Sequence, residues 1–265
     1  MAIIGVLISR VNVGIELFVA NLIYAPIAYL FIALSGLTVI KILQILQAPS
    51  NTGKLNLKQA LALFGAFFII GIVLTVVNVV LYVFNIIIII YIIIIGVLWV
   101  IMGLLANKNI VKSEYIYASL VSLVFTLGII YGALLNTLSI PISIYFAFIT
   151  ATFLQSAREM VKSYDKKDRG GGFISITNEK ERNLILKVSL GFQALSCIFF
   201  VMILFSSIAY PILYLFVMLI GLFFISSAMI LILKSMREKK DYLRMSWLLK
   251  YGILFELISF LVVGS

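Results

Sequence analysis

Histidine is absent from this chain, and cysteine occurs once, at Cys197. A disulfide needs two thiols and a structural zinc site needs several Cys or His ligands, so both are excluded, as is His-ligated haem. A Ser-His catalytic pair and a histidine general base are lost with them. Acidic residues are also scarce, with 10 Asp and Glu against 20 Lys and Arg, a net charge of +10. In a soluble protein that excess would suggest nucleic acid. Charged residues of either sign make up only 11% of the 265 residues, however, so no broad basic surface is available and no nucleic-acid partner is expected.

What fills the chain instead is apolar: 64% of residues are hydrophobic and the mean hydropathy is +1.23. A globule in water still needs a polar exterior, which this composition does not provide. A bilayer supplies an apolar solvent, and there only helices or closed barrels satisfy the backbone. The runs Phe67 to Leu81 and Ile86 to Leu104 are continuously apolar, without the alternation of a barrel strand. The sequence therefore predicts an all-α integral membrane protein, forming a single transmembrane domain over 1–265 with no second soluble domain.

Position of charge gives the topology. The cations fall into five groups: Arg10; Lys41, Lys54 and Lys58; Lys108 and Lys112; eight from Arg158 to Lys187; and six from Lys234 to Lys250. Alternate breaks carry none, namely Ala25-Pro26, Asn85, Leu135 to Ser139 and Ser206 to Tyr210. Charged breaks belong on the cytoplasmic side by the positive-inside rule. Nine spans follow, at 3–24, 26–46, 57–80, 86–105, 114–134, 141–162, 181–206, 211–233 and 243–263, with the N-terminus cytoplasmic. The expected location is the cell (cytoplasmic) membrane. The break at Pro26 is very tight, and a single long or kinked helix there is the alternative. Pro26, Pro141 and Pro211 stand at uncharged breaks, where proline can open a helix. Asn178 with Glu181 three residues on has the spacing of a capping box.

Glu114, Glu159 and Glu181 fall within a turn of a span end, and only Glu16 and Glu256 among the carboxylates lie deeper inside these spans. A carboxyl at that depth is either functional or neutral and satisfied by a neighbouring helix. The densest mixture of charge is Ala157 to Gly172, AREMVKSYDKKDRGGG, where Arg158 and Lys162 share a helix face and Asp165 and Asp168 follow. Cations pair directly with a diphosphate and carboxylates hold one through Mg²⁺. A solvated loop attracting anionic lipid is the simpler alternative for the same residues.

That run resembles the second aspartate-rich motif of the UbiA-type intramembrane prenyltransferases. Ile8-Ser9-Arg10-Val11-Asn12 is similar to the R-x-x-N of that family's first helix, and Thr52 to Leu61 to the S-G-K-I-S-x-x-E-A-L opening its third. Lys108 to Leu134 resembles its K-x-x-K loop and the helix ending Y-G-A-L, here Tyr131-Gly132-Ala133-Leu134. The resemblance implies a helical bundle around a central cavity that opens to the cytoplasmic face. There an isoprenyl diphosphate, held with Mg²⁺, gives its prenyl group to a lipid-soluble acceptor. By position it makes Arg158, Lys162, Arg10, Asn12, Lys108 and Lys112 diphosphate-binding candidates and Asp165 and Asp168 metal ligands; Lys41, where the first acidic motif would stand, is a further candidate as a point charge replacing a metal.

The sequence departs from the pattern in three places: the region from Arg10 to Thr52 is shorter than the family usually has, and both aspartate-rich motifs are altered. The first aspartate-rich motif should stand at the end of the second helix, and Lys41 to Asn51 carries no carboxylate. In the second motif Ser163 replaces an aspartate. Two functions stay open: a prenyltransferase with a depleted metal site, or a catalytically silent relative serving as a structural or lipid- or quinone-binding subunit of a larger membrane complex.

Overall fold

The computed structural model describes residues 1–9, 14–47, 56–80, 90–91, 93–94, 97, 114–137, 140–165, 179–234 and 239–263. Among these there is no strand. The helices are α1 (Ala2–Ile8), α2 (Ile15–Gln47), α3 (Leu57–Asn78), α4 (Glu114–Leu134), α5 (Ile142–Asp165), α6 (Glu179–Met202), α7 (Pro211–Leu233) and α8 (Lys239–Val263). A short 3₁₀ turn, Ile203–Phe205, extends α6. Five stretches are long and apolar enough to cross a bilayer: Ile15–Val39, Leu57–Asn78, Asn183–Phe205, Pro211–Leu233 and Asp241–Val263. Ala118–Leu134 is a shorter apolar helix. The expected span at 86–105 lies mostly outside the described residues.

Local sequence explains several helix starts. Asn56 accepts a hydrogen bond from the Gln59 backbone N–H at 2.8 Å, and the Gln59 side chain accepts from the Asn56 N–H at 3.1 Å. This reciprocal pair satisfies two of the donors left over at the start of α3. Pro211 occupies the first turn of α7, and α5 begins directly after Pro141. Asn178, expected to cap α6, lies outside the described residues.

Pro26 behaves otherwise. Instead of separating two spans at 3–24 and 26–46, it lies inside the continuous 33-residue α2, and the chain breaks earlier, between α1 and Ile15. A proline there removes one backbone bond, the one to the Leu22 carbonyl, which a helix packed among other helices tolerates. Close packing holds this stretch straight through. Ala25, Ala28 and Ile32 are buried, and a Cβ on Gly71 of α3 would come within 2.7 Å of Ile32 and 3.3 Å of the Ala28 carbonyl.

The chain forms two compact units, with the division inside α4. Unit 1 comprises Met1–Ser113 and Leu127–Ile140. In it α2 packs along α3 and α1 packs on α2. Gly5 of α1 lies against the Ile129 carbonyl and Gly132 against the Ala2 carbonyl, so backbone meets backbone with no room for a Cβ at either. Three buried or part-buried asparagines bind the charge-poor helix ends together. Asn78 donates to Asn21 at 2.8 Å, and Asn21 donates to the Leu135 carbonyl at 2.9 Å and to Asn136 at 2.7 Å. Asn136 in turn donates to the Val6 carbonyl at 2.8 Å and to the Ser9 hydroxyl at 3.0 Å.

Unit 2 comprises Glu114–Thr126 and Pro141–Ser265. Here α5 packs on α6 and α8, and α7 on α8. At the charge-rich helix ends the core is aliphatic, with Leu154 and Val161 of α5 against Leu186, Ala228, Met245 and Leu249. At the charge-poor ends it is aromatic: Phe200 meets Tyr214 edge-on at 6.0 Å and Phe260 at 6.1 Å. The Tyr214 hydroxyl donates to the Phe200 carbonyl at 2.7 Å. In unit 2 the charged and charge-free helix ends sort to opposite poles; in unit 1 they do not, because Ser9, next to Arg10 at the end of α1, is bonded to Asn136 in the uncharged break after α4, against the expectation that this end lies with the other charged ends.

Candidate functional site

The inner end of α5 is one-sided. Leu154, Ala157, Met160 and Val161 are buried, and the Ser189 hydroxyl of α6 donates to the Ala157 carbonyl at 3.1 Å. That anchoring fixes the rotation of the helix, which leaves Gln155, Arg158, Glu159 and Lys162 on the less buried side. Cations in the last turns of a helix are favoured by its dipole.

These four side chains form one cluster around a single carboxylate oxygen. Lys162 Nζ donates to Glu159 Oε1 at 2.7 Å, and Gln155 Nε2 donates to the same oxygen at 3.1 Å. An Arg158 Nη1 stands 3.8 Å from it. Arg158 Nε is buried and has no hydrogen-bond partner. A desolvated guanidinium N–H without an acceptor is costly, and an oxyanion is the group that best relieves it. With side-chain exposures of 20% for Arg158 and 33% for Lys162, the cluster is partly open to its surroundings.

Arg158 and Lys162 are thus brought together as their spacing implied, through Glu159, which the sequence reading left without a role. The i,i+4 and i,i+3 spacing of Gln155, Glu159 and Lys162 was the signal available for it. Lys41 is half-buried near the end of α2, in unit 1. Arg10, Asn12, Lys108, Lys112 and Asp168 lie outside the described residues, as does the side chain of Asp165. Ser9, the described neighbour of Arg10, is held by Asn136 just beyond the C-terminal end of α4.

Mg²⁺ requires hard oxygen donors in near-octahedral array. Among the described residues no three His, Cys, Asp or Glu side chains gather. Glu159 is committed to Lys162 and Gln155. With two cations around one carboxylate, the described part of the site suits an anion better than a divalent cation.

The two intramembrane carboxyls differ. Glu16 is exposed in the first turn of α2, where the helix dipole favours an acid. Glu256 is fully buried in α8 and neither oxygen has a hydrogen-bond partner.

No family model matches the sequence, and neither does any curated protein. Among solved structures, that of a digeranylgeranylglyceryl phosphate synthase in membranes matches over 99% of this chain and 91% of its own. The TM-score is 0.69 and the sequence identity 20%. At that identity the likeness speaks for the fold. This chain has the fold of the UbiA-type membrane prenyltransferases.

Proposed function

We propose that this protein is a membrane prenyltransferase that binds an isoprenyl diphosphate by its charged end and transfers the prenyl group to a lipid-soluble acceptor. The observation that carries the reading is the desolvated, unpartnered Arg158 Nε beside Lys162, on the helix whose end resembles the second family motif. The fold shared with a digeranylgeranylglyceryl phosphate synthase supports the same kind of chemistry. In the reaction the allylic C–O bond breaks and the diphosphate leaves with the bonding electrons. The acceptor then attacks the allylic carbon and loses a proton. Arg158 and Lys162 stabilise the negative charge that grows on the leaving oxygens, the step at which preorganised cations lower the barrier most. Lys41, Arg10, Asn12, Lys108 and Lys112 are proposed as further contacts to the diphosphate, and Asp165 and Asp168 as the remaining acidic groups for a metal. The charged helix ends are proposed to face the cytoplasm.

One observation favours a catalytically silent relative within a larger membrane complex: Lys41 to Asn51 carries no carboxylate where the family's first motif belongs. Release of inorganic diphosphate from geranylgeranyl diphosphate by the purified protein, supplied with a lipid extract as acceptor source, separates the two. Slow release, below about 1 per second, that depends on the extract is expected for a depleted enzyme. Binding of the diphosphate with no release under any acceptor condition would favour the silent subunit.

A further inference from the structure

The chemistry of the α5 cluster points beyond diphosphate binding as such to how the charge is neutralised. In a metal-dependent site the acidic residues must have free oxygens turned toward the ion. Glu159 is a poor candidate for that role, because its Oε1 accepts from both Lys162 Nζ at 2.7 Å and Gln155 Nε2 at 3.1 Å, with Arg158 Nη1 at 3.8 Å, so a divalent ion at this carboxylate would stand beside two cations that repel it. The cations are in the opposite position. Arg158 is near enough to Glu159 for attraction but not for a hydrogen bond, and its Nε has no partner. Two cations against one carboxylate leave the cluster net positive, and the sequence continues with three more cations, Lys166, Lys167 and Arg169, against two acids, Asp165 and Asp168.

We infer that the described cluster recognises the diphosphate directly, without a bridging divalent metal: the Nε edge of Arg158 binds phosphate oxygens, Lys162 adds charge, and Glu159 is a positioning counter-ion instead of a metal ligand. This inference rests on the diphosphate reading of the site. An Arg edge presents parallel N–H donors that match two oxygens of one phosphate, which a lysine cannot do. Glu159 and Gln155 hold Lys162 in place while no diphosphate is present. The same carboxylate also repels an incoming anion, so the arrangement exchanges some affinity for a preformed site.

The test is calorimetric titration of the full-length protein in detergent micelles with geranylgeranyl diphosphate and, separately, inorganic pyrophosphate, each in EDTA and in Mg²⁺. Binding in EDTA at least as tight as in Mg²⁺, which itself complexes the free diphosphate, is expected for a cluster that binds phosphate directly. Arg158→Ala should weaken binding about tenfold or more, as loss of a charge-assisted bidentate contact does. Glu159→Gln keeps the hydrogen bonds to Lys162 and Gln155 but removes the repelling charge. It should tighten pyrophosphate about three- to tenfold, and less so at high salt. Binding seen only with Mg²⁺, or weakened by Glu159→Gln, would overturn metal-free recognition while leaving the diphosphate reading intact. Failure of both probes to bind in both conditions would overturn the inference together with that reading.

Discussion

In unit 1 the helices meet through glycine and asparagine. Gly5 and Gly132 bring α1 and α4 to backbone contact, and Asn21, Asn78 and Asn136 join their ends by hydrogen bonds. In unit 2 the contacts are made by side-chain bulk: Leu154, Val161, Ile225 and Leu249 at one pole, and Phe200, Tyr214 and Phe260 at the other. The difference reflects what lipid does to driving forces. Lipid tails solvate leucine as well as another helix does, so association must come from close approach, from hydrogen bonds or from shape-matched packing. Unit 1 relies mainly on the first two and unit 2 mainly on the third, with the Ser189, Ser196 and Tyr214 hydroxyls adding single bonds to carbonyls. The α5 cation cluster belongs to unit 2, on a helix whose opposite face is fixed by that packing.

The comparison is broken most severely at the glycines. Gly132→Val or Gly5→Val would drive a side chain into a backbone carbonyl that has no rotamer by which to yield. A loss of about 3 kcal/mol or more is expected, enough to abolish recovery of monodisperse protein. Gly191→Ala in unit 2 is the control, since nothing lies within 4 Å of the added Cβ, and it should be neutral or slightly stabilising. Size-exclusion yield and thermal melting in detergent read both.

A smaller effect is expected at Asn21. Asn21→Leu removes the bonds to the Leu135 carbonyl, Asn136 and Asn78 together, leaving buried polar groups unpaired. The cost should be about 1–3 kcal/mol, as a lowered denaturation midpoint. Tyr214→Phe in unit 2 deletes one hydroxyl donor to Phe200 and keeps the ring contacts. Its cost should be close to 1 kcal/mol, and a drop as large as that of Asn21→Leu would contradict the division between a hydrogen-bonded and a ring-packed unit.

The sequence made the class of fold legible because apolar runs of membrane length have no soluble interpretation. Charge placement marked the helix ends of unit 2, whereas in unit 1 the α1 end next to Arg10 lies at the uncharged end of α4, held there by Asn136. Pro26 misled because a proline at an uncharged position reads as a break, whereas the small residues Ala25, Ala28 and Gly71 let α2 continue past it. That packing is a tertiary fact which a local pattern does not carry. The shared face of Arg158 and Lys162 was legible from their helical spacing. Glu159 was not, because a carboxylate between two cations reads equally as a metal ligand and as a counter-ion until its hydrogen bonds are known. The asparagine ladder was invisible for a similar reason: Asn21, Asn78 and Asn136 lie far apart in the chain and share no periodicity.

The least effect on stability is expected where the effect on function is largest. Replacing Arg158 and Lys162 together by Ala removes partly exposed charges, so the melting temperature should change by no more than about 0.5 kcal/mol of stability implies. Binding of geranylgeranyl diphosphate to that double variant, measured beside wild type at matched protein and detergent concentration, tests the central claim most directly. Saturable binding to the wild-type protein, and its loss in a double variant that remains folded, are expected. Equal binding by the two proteins, or none by wild type, would contradict that claim.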